Sequence, residues 1–138
     1  MKSTEVPFNK FLGLKVSDKP EYIYMVDNLP HYLNHVGTIH ASVQFALAEA
    51  TSGDCLETIL KDYTGNLFAV VTNVEIKYTK PAYGQLYSSA SIDEAYAEKM
   101  MEEFNSKGKT RAKVNVNIHD NQGVVTLQSV FEWYLKKL

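Results

Sequence analysis

The sequence predicts an α+β protein in which one antiparallel sheet covers one long helix. Between Thr38 and about Leu60 there is no proline, and apolar residues recur at spacings of three and four, which is the helical period. After Gly65 most segments alternate apolar and polar residues, a pattern typical of antiparallel strands with one face in water. The dry face of such a sheet and a long apolar helix bury each other, so the two patterns together favour this fold class.

The elements before Gly65 are one strand and the long helix. Residues 22–29 alternate weakly and are predicted to form a strand that Pro30 ends. At a rise of about 1.5 Å per residue, the helix from Thr38 to Leu60 is roughly 33 Å long. A helix of this length in so short a chain is expected to be the central one.

Four strands are predicted after the helix, at residues 72–79, 85–92, 111–118 and 124–135. The turn-forming residues 120–123 are expected to join the last two strands into a hairpin. Residues 96–104 hold helix formers and no β-branched side chain. They predict a short helical insertion that Gly108 ends.

Composition limits the class of protein. The 138 residues fit one domain, 1–138, and a chain of this size can bury about two-thirds of its unfolded surface. Hydrophobic residues make up 45% and charged residues 22%, which argues against disorder. The net charge is −2 and the lysines and arginines are dispersed, so no nucleic-acid partner is expected. Cys55, the one cysteine, is interpreted as a small buried apolar side chain rather than a reactive thiol.

Neither a targeting segment nor a membrane-spanning segment is expected from the sequence. The N-terminal stretch MKSTEVPFNKFLGLKV has no uninterrupted apolar run, so no secretory signal is expected. No apolar span of about 18 residues occurs, so no membrane-spanning helix is expected either. These observations make the cytoplasm the expected location.

The stretch NHVGTIHASVQFALAEATSG, residues 34–53, places polar residues at the start of the apolar helix. Glu49 stands between Ala48 and Ala50, so burial is expected to raise its affinity for a proton and to suit it to general-base chemistry. A glutamate on the solvent side of the helix is the alternative. The first N–H groups of a helix are unpaired and favour negative charge, which makes this helix start suited to an anionic oxygen.

This stretch resembles the active-site segment of hotdog-fold acyl-CoA thioesterases of the phenylacetate-degradation type. Their pattern reads N-x-x-G-x-x-H-G-G-x-x-F-A-L-A-[DE], and its positions are matched here by Asn34, Gly37, His40 and Glu49. The resemblance continues in VTNVEIKYTKPAYGQLY, which is similar to the strand after the helix in these proteins, and spans residues 11–135 approximately. It implies the hotdog fold, an antiparallel sheet wrapped around one long central helix. The chain departs from the pattern where two glycines are replaced by Ala41 and Ser42.

The resemblance implies a catalytic role for each residue of the helix start. Glu49 is the general base or nucleophile, and the N–H of Ala41 is the donor to the oxyanion of the reacting carbonyl. His40 shapes the loop and the helix entrance. Asn34 orients water or the carbonyl, or else serves only as a turn or cap residue.

Substrate contacts are expected beside these residues. Gly37 and Ser42 lie at the helix entrance, where the side chains of Ala41 and Ser42 narrow the approach of a thioester. Gly53 follows Glu49 by one turn and leaves room for substrate or a partner chain, although helix packing explains a glycine there equally well. Coenzyme A is expected to be held by surface cations that are otherwise solvated strand residues, with candidates Lys77, Lys80, Arg111 and Lys113.

The function that the resemblance implies is an acyl-CoA thioesterase acting on a medium-chain or aromatic acyl group. The alternative is a non-catalytic acyl-CoA-binding or sensor protein, because the glycine pair is replaced. A hotdog hydratase or dehydratase would need a catalytic histidine, for which His40 is available, but the position of Glu49 favours hydrolysis.

The resemblance also predicts the assembly. In this family a dimer builds each active site from both chains, so a homodimer or a dimer of dimers (a homotetramer) is expected. No cofactor is expected. No metal site is expected either, since His35 and His40 do not share a helix face and no carboxylate cluster completes a ligand set.

Overall fold

The computed structural model describes residues 2–138 and consists of one six-stranded antiparallel sheet with three α-helices. The strands are β1 (Lys15–Val16), β2 (Tyr24–Val26), β3 (Leu67–Tyr78), β4 (Leu86–Ser91), β5 (Lys109–Asp120) and β6 (Val125–Lys137). The helices are α1 (Pro7–Leu12), α2 (Ala41–Ile59) and α3 (Glu94–Lys107). None of the helices in the described part is long and apolar enough to cross a membrane. The sheet order is β1-β2-β4-β5-β6-β3, and the predicted α+β architecture is confirmed.

The centre of the core is the contact between α2 and the inner face of the sheet. Buried residues recur at every second position along β5, at Ala112, Val114, Val116 and Ile118. They pack in one cluster with α2, of which Leu47 and Ala48 are fully buried. The other face of β5, which includes Lys113, is exposed to water, as the alternation of apolar and polar residues predicts.

The helix α2 begins three residues after the predicted Thr38, because side chains fix the turn before it. Asn34 Oδ1 accepts the N–H groups of Val36 and Thr38 at 3.0 and 3.1 Å, and Asn34 Nδ2 donates to Thr38 Oγ1 at 2.8 Å. His40 is the N-cap residue, and its Nδ1 accepts the N–H of Ser42 at 2.9 Å. Thr38 therefore belongs to the turn and not to the helix.

Several strand boundaries also differ from the prediction. The sequence predicts neither α1 nor β1, because six and two residues are too few to show a period. β2 covers three residues rather than the predicted 22–29, and only Met25 and Val26 pair with β4. β3 starts at Leu67 rather than at residue 72, because it pairs with β6 from its first residue onward.

The helix α3 extends beyond its predicted segment at both ends. Asp93 is the N-cap, and its Oδ2 accepts the N–H of Tyr96 at 2.9 Å. As predicted, Gly108 ends the helix, with a φ of 72°. The Tyr96 hydroxyl accepts the N–H of Lys113 at 3.0 Å and donates to the carbonyl of Arg111 at 3.3 Å. This side chain therefore satisfies the part of the β5 edge that β4 leaves unpaired.

Candidate functional site

The start of α2 opens into a cavity of about 500 Å³, which we call the entrance cavity. The first turn of α2 and the loop before it form one wall, and the end of β3 with the loop after it forms the other. Three predicted site residues line the cavity: Asn34, Ala41 and Lys80. Gln44 and Tyr78 also line it, and the sequence does not single out either one for a role in the site.

Ala41 supplies a backbone donor to the entrance cavity. It is the first residue of α2, and within residues 2–138 no acceptor receives its N–H. The next N–H, that of Ser42, is bound by His40, so the cap leaves the Ala41 donor free. The first N–H groups of a helix carry the positive end of its dipole. An anionic oxygen in the entrance cavity would be stabilised at this donor.

Asn34 and Gly37 both contribute to the conformation of the loop before α2. Two backbone N–H groups of the loop donate to Asn34 Oδ1, so this oxygen holds the turn. Gly37 has a φ of 79°, in the left-handed region where a side chain is strained. Asn34 therefore has the turn-forming role that the sequence analysis gives as one of its two interpretations. Substrate contact by Asn34 or by Gly37 stays a prediction.

His40 and Ser42 are both exposed at the helix entrance. Because His40 Nδ1 accepts a backbone hydrogen bond, the neutral imidazole carries its proton on Nε2. The capping contact is consistent with the entrance-shaping role that the resemblance implies for His40. His40 Nδ1 accepts this backbone N–H and is therefore not available as a base for the Ser42 hydroxyl.

Glu49 lies eight residues after Ala41 on α2, which is about 12 Å along the helix axis. Its side chain is half-buried, and this burial raises the pKa of the carboxyl above the ordinary value for glutamate. Among the residues that the structure describes, none forms a hydrogen bond or an ion pair with the Glu49 carboxylate. Glu49 does not line the entrance cavity. The carboxylate and the Ala41 N–H of one chain therefore cannot meet at one carbonyl group.

A second cavity of about 970 Å³ lies along the C-terminal half of α2, and we call it the rear cavity. It is lined by Gly53 and Leu56 of α2, by Leu67 of β3 and by Trp133 of β6. A Cβ atom at Gly53 would lie 3.6 Å from the Trp133 indole, which is an ordinary contact. The sequence assigns Trp133 only to a strand, because alternation does not show which helix residue a strand side chain meets.

The predicted coenzyme A cations are not brought together. Lys80 lines the entrance cavity. Lys77 lies away from it, in a depression formed by the outer-face residues of β3, β5 and β6. Arg111 and Lys113 flank Glu132 with nitrogen-to-oxygen distances of 3.1 and 3.9 Å. Of these four residues, Lys80 alone is placed to meet a ligand at the helix start.

The comparison with protein families assigns the chain to one of them. Residues 20–135 match the model of the family described as Domain of unknown function (DUF4442), which is well over half of the chain. This chain belongs to the DUF4442 family. Comparison of this DUF4442 protein with proteins of curated function gives no match.

Solved structures confirm that the DUF4442 protein has the hotdog fold. A Pseudomonas aeruginosa protein of unknown function, described as a probable thioesterase, aligns with a TM-score of 0.78 at 22% identity over 99% of this chain and 91% of its own. The Bacillus halodurans protein BH2602, solved with CoA, gives 0.64 at 18% identity over 81% and 69%. A mutant of a Staphylococcus aureus thioesterase enzyme gives 0.67 at 11% identity over 94% and 98%. The phenylacetate-degradation subtype stays a prediction.

Proposed function

We propose that this DUF4442 protein is a thioesterase that hydrolyses a medium-chain or aromatic acyl-CoA to the free acid and coenzyme A. The observation that carries the proposal is the chemistry of α2. One helix presents a free N–H at its first residue, Ala41, and a half-buried, unpaired carboxylate at Glu49. Thioester hydrolysis needs these two groups, a donor to the oxyanion and a base for water.

The reaction follows from the chemistry of the two groups. The Glu49 carboxylate takes a proton from water while the water oxygen bonds to the thioester carbonyl carbon. The electron pair of the carbonyl bond moves to its oxygen, where the N–H of Ala41 stabilises the negative charge. The tetrahedral species collapses, the carbon–sulfur bond breaks, and the departing thiolate receives the proton from Glu49. Because burial raises the pKa of Glu49, the carboxylate is a stronger base than an exposed glutamate.

The site requires a second copy of the chain, because about 12 Å of helix separates Ala41 from Glu49 in one chain. We propose a homodimer, or a dimer of dimers, in which Glu49 of one protomer faces Ala41 of its partner. The strand β3 supports this assembly, since it is a twelve-residue strand at the edge of the sheet and has a free edge for pairing. Exposed apolar side chains lie on β3 and on the adjoining turn of α2, namely Phe45, Phe68, Val70 and Tyr78.

The entrance cavity is the proposed site of the coenzyme A moiety next to the thioester. Lys80 at its rim supplies positive charge for phosphate groups. The structural neighbour from Bacillus halodurans was solved with CoA, which supports the ligand class without fixing its position here.

A non-catalytic acyl-CoA-binding protein is the second candidate. It is favoured by the position of Ala41 and Ser42, which are exposed at the helix entrance where the resembling thioesterases have two glycines. Their side chains narrow the approach of a thioester to the Ala41 N–H. A protein of this kind would bind the thioester and leave it intact.

Release of free thiol from a panel of acyl-CoAs separates the two functions. We expect turnover by the wild-type protein and a loss of at least about 100-fold in Glu49→Gln, because removal of a general base typically lowers the rate by that factor or more. Calorimetric binding of the same acyl-CoA should persist in the variant. Binding without turnover in the wild-type protein would support the sensor and contradict the thioesterase.

A further inference from the structure

Gln44 is a buried polar residue on the wall of the entrance cavity. It lies three residues after Ala41 on α2, so the two residues share one face of the helix. Only 4% of Gln44 is exposed, although the cavity is open to solvent. Glutamine is seldom buried to this degree unless its amide is hydrogen-bonded.

A residue of β6 holds the oxygen of the Gln44 side-chain amide. The Thr126 hydroxyl donates to Gln44 Oε1 at 2.8 Å, and Thr126 itself is fully buried. The hydroxyl is the donor in this contact, so the oxygen of the carboxamide faces the strand. The nitrogen, Nε2, consequently points away from Thr126.

Gln44 Nε2 donates to no acceptor among residues 2–138. In the same part of the chain, every side-chain nitrogen or oxygen that is fully buried has a partner. Nε2 is therefore not fully buried, and the open space next to Gln44 is the entrance cavity. An oriented, unpaired amide donor in an otherwise satisfied interior is suited to a ligand acceptor.

We propose that Gln44 Nε2 is a second donor to the thioester carbonyl oxygen, beside the N–H of Ala41. The proposal rests on the thioesterase function proposed above and adds a residue to its site. One backbone donor and one side-chain donor then face the oxygen whose negative charge grows in the transition state. Thr126 is a positioning residue, since it acts through Gln44 and does not line the cavity.

Gln44→Met tests the donor directly. Methionine has nearly the same length and no N–H, and the Thr126 hydroxyl keeps an acceptor in the Ile118 carbonyl at 3.4 Å. We expect kcat to fall by about 10²- to 10³-fold, as when one oxyanion donor is removed, with KM nearly unchanged. An unchanged kcat, or a rise in KM alone, would overturn the proposal.

Thr126 provides a matched pair of variants. Thr126→Val removes the hydroxyl that orients Gln44 and should lower kcat, whereas Thr126→Ser keeps the hydroxyl and should restore it. The melting temperature of each variant separates unfolding from lost chemistry. Equal kcat values in folded Thr126→Val and Thr126→Ser would contradict the positioning role.

A binding experiment keeps the inference distinct from the proposed hydrolysis. It compares a ketone analogue of the acyl-CoA, in which a methylene replaces the sulfur, with an S-alkyl-CoA that lacks the carbonyl. We expect Gln44→Met to weaken binding of the ketone by about three- to tenfold more than binding of the thioether, the effect of one lost hydrogen bond. If this result were obtained with a protein that shows no turnover, it would contradict the proposed hydrolysis and still support Gln44 as a donor to the carbonyl oxygen. If Gln44→Met weakened binding of both ligands equally, or if neither ligand bound, the proposed role of Gln44 as a donor would be contradicted.

Discussion

The indole N–H of Trp133 donates to the hydroxyl of Ser52 at 2.9 Å, and the same hydroxyl donates to the main-chain carbonyl of Glu49 at 2.7 Å. This contact ties β6 to α2 one turn beyond the proposed catalytic carboxylate. Ser52 is fully buried, and the Trp133 ring covers Gly53. An acyl chain that continues past Glu49 along α2 would therefore meet the Trp133 wall of the rear cavity.

Gly53→Ala tests this path for the acyl chain. The added Cβ fits at 3.6 Å from the indole, and alanine is the better helix former, so the free energy of unfolding should rise by up to about 1 kcal/mol in urea denaturation. The added methyl group narrows the cavity, so kcat/KM should fall more for long acyl chains than for short ones. A variant that loses activity equally at every chain length would contradict the path.

His40→Ala tests the cap of α2. Loss of the Nδ1 acceptor for the Ser42 N–H should lower the free energy of unfolding by about 0.5–2 kcal/mol, measured by chemical denaturation. His40→Asn is the matched control, because an asparagine oxygen caps a helix well and should restore most of that stability. Equal stability of the two variants would show that the cap is not what His40 contributes.

The raised pKa of Glu49 gives stability a pH dependence of known sign. The folded protein holds the Glu49 proton more tightly than the unfolded chain, so the stability from the protonated carboxyl is present at low pH and is lost as pH rises through the folded-state pKa. Near neutral pH, Glu49→Gln should therefore be more stable than the wild-type protein. The gain should stay below about 1 kcal/mol, since water screens a half-exposed carboxylate.

Thermal unfolding at two pH values checks this prediction. The stability difference between Glu49→Gln and the wild-type protein should disappear below about pH 4, where the carboxyl is protonated in both states. Glu98→Gln replaces an exposed glutamate on α3 and should change stability little at either pH. If Glu49→Gln were less stable than the wild-type protein near neutral pH, the prediction would be contradicted, and the carboxylate would have a stabilising partner.

The sheet and the central helix could be predicted from the sequence because both depend on short periods. Apolar side chains at every second residue fix the inner face of β5, and spacings of three and four fix the face of α2 that packs on it. The boundaries could not be predicted equally well. No proline separates Thr38 from the helix in the sequence, but its hydrogen bonds with Asn34 hold it in the preceding turn.

Only part of the site could be predicted from the sequence. Ala41 and Lys80 both line the entrance cavity, since each is close to the end of an element that meets there. Arg111 is not there, because alternation gives the face of a strand and not its distance from the helix start. Gln44 is not singled out by the sequence, because its partner Thr126 is 82 positions away in the chain and only the fold joins them.

Ala41→Pro removes the proposed backbone donor while keeping the helix. Proline is tolerated at the first helical position, whose N–H is unpaired here, and the preceding His40 already has the extended conformation that proline requires, with φ −59° and ψ 139°. We expect an unchanged melting temperature and a fall in kcat of about 10²- to 10³-fold. A folded variant with wild-type kcat would remove Ala41 from the mechanism.

Mixing Ala41→Pro with Glu49→Gln tests the shared site most directly. Each variant alone should be inactive, since every site in its dimers lacks either the donor or the base. A mixed dimer has one intact site, formed by Glu49 of the first variant and Ala41 of the second. Unfolding and refolding equal amounts together should therefore restore about a quarter of the wild-type activity, as random pairing in a twofold dimer requires. No recovery in dimers shown to be mixed would contradict a site built from two chains.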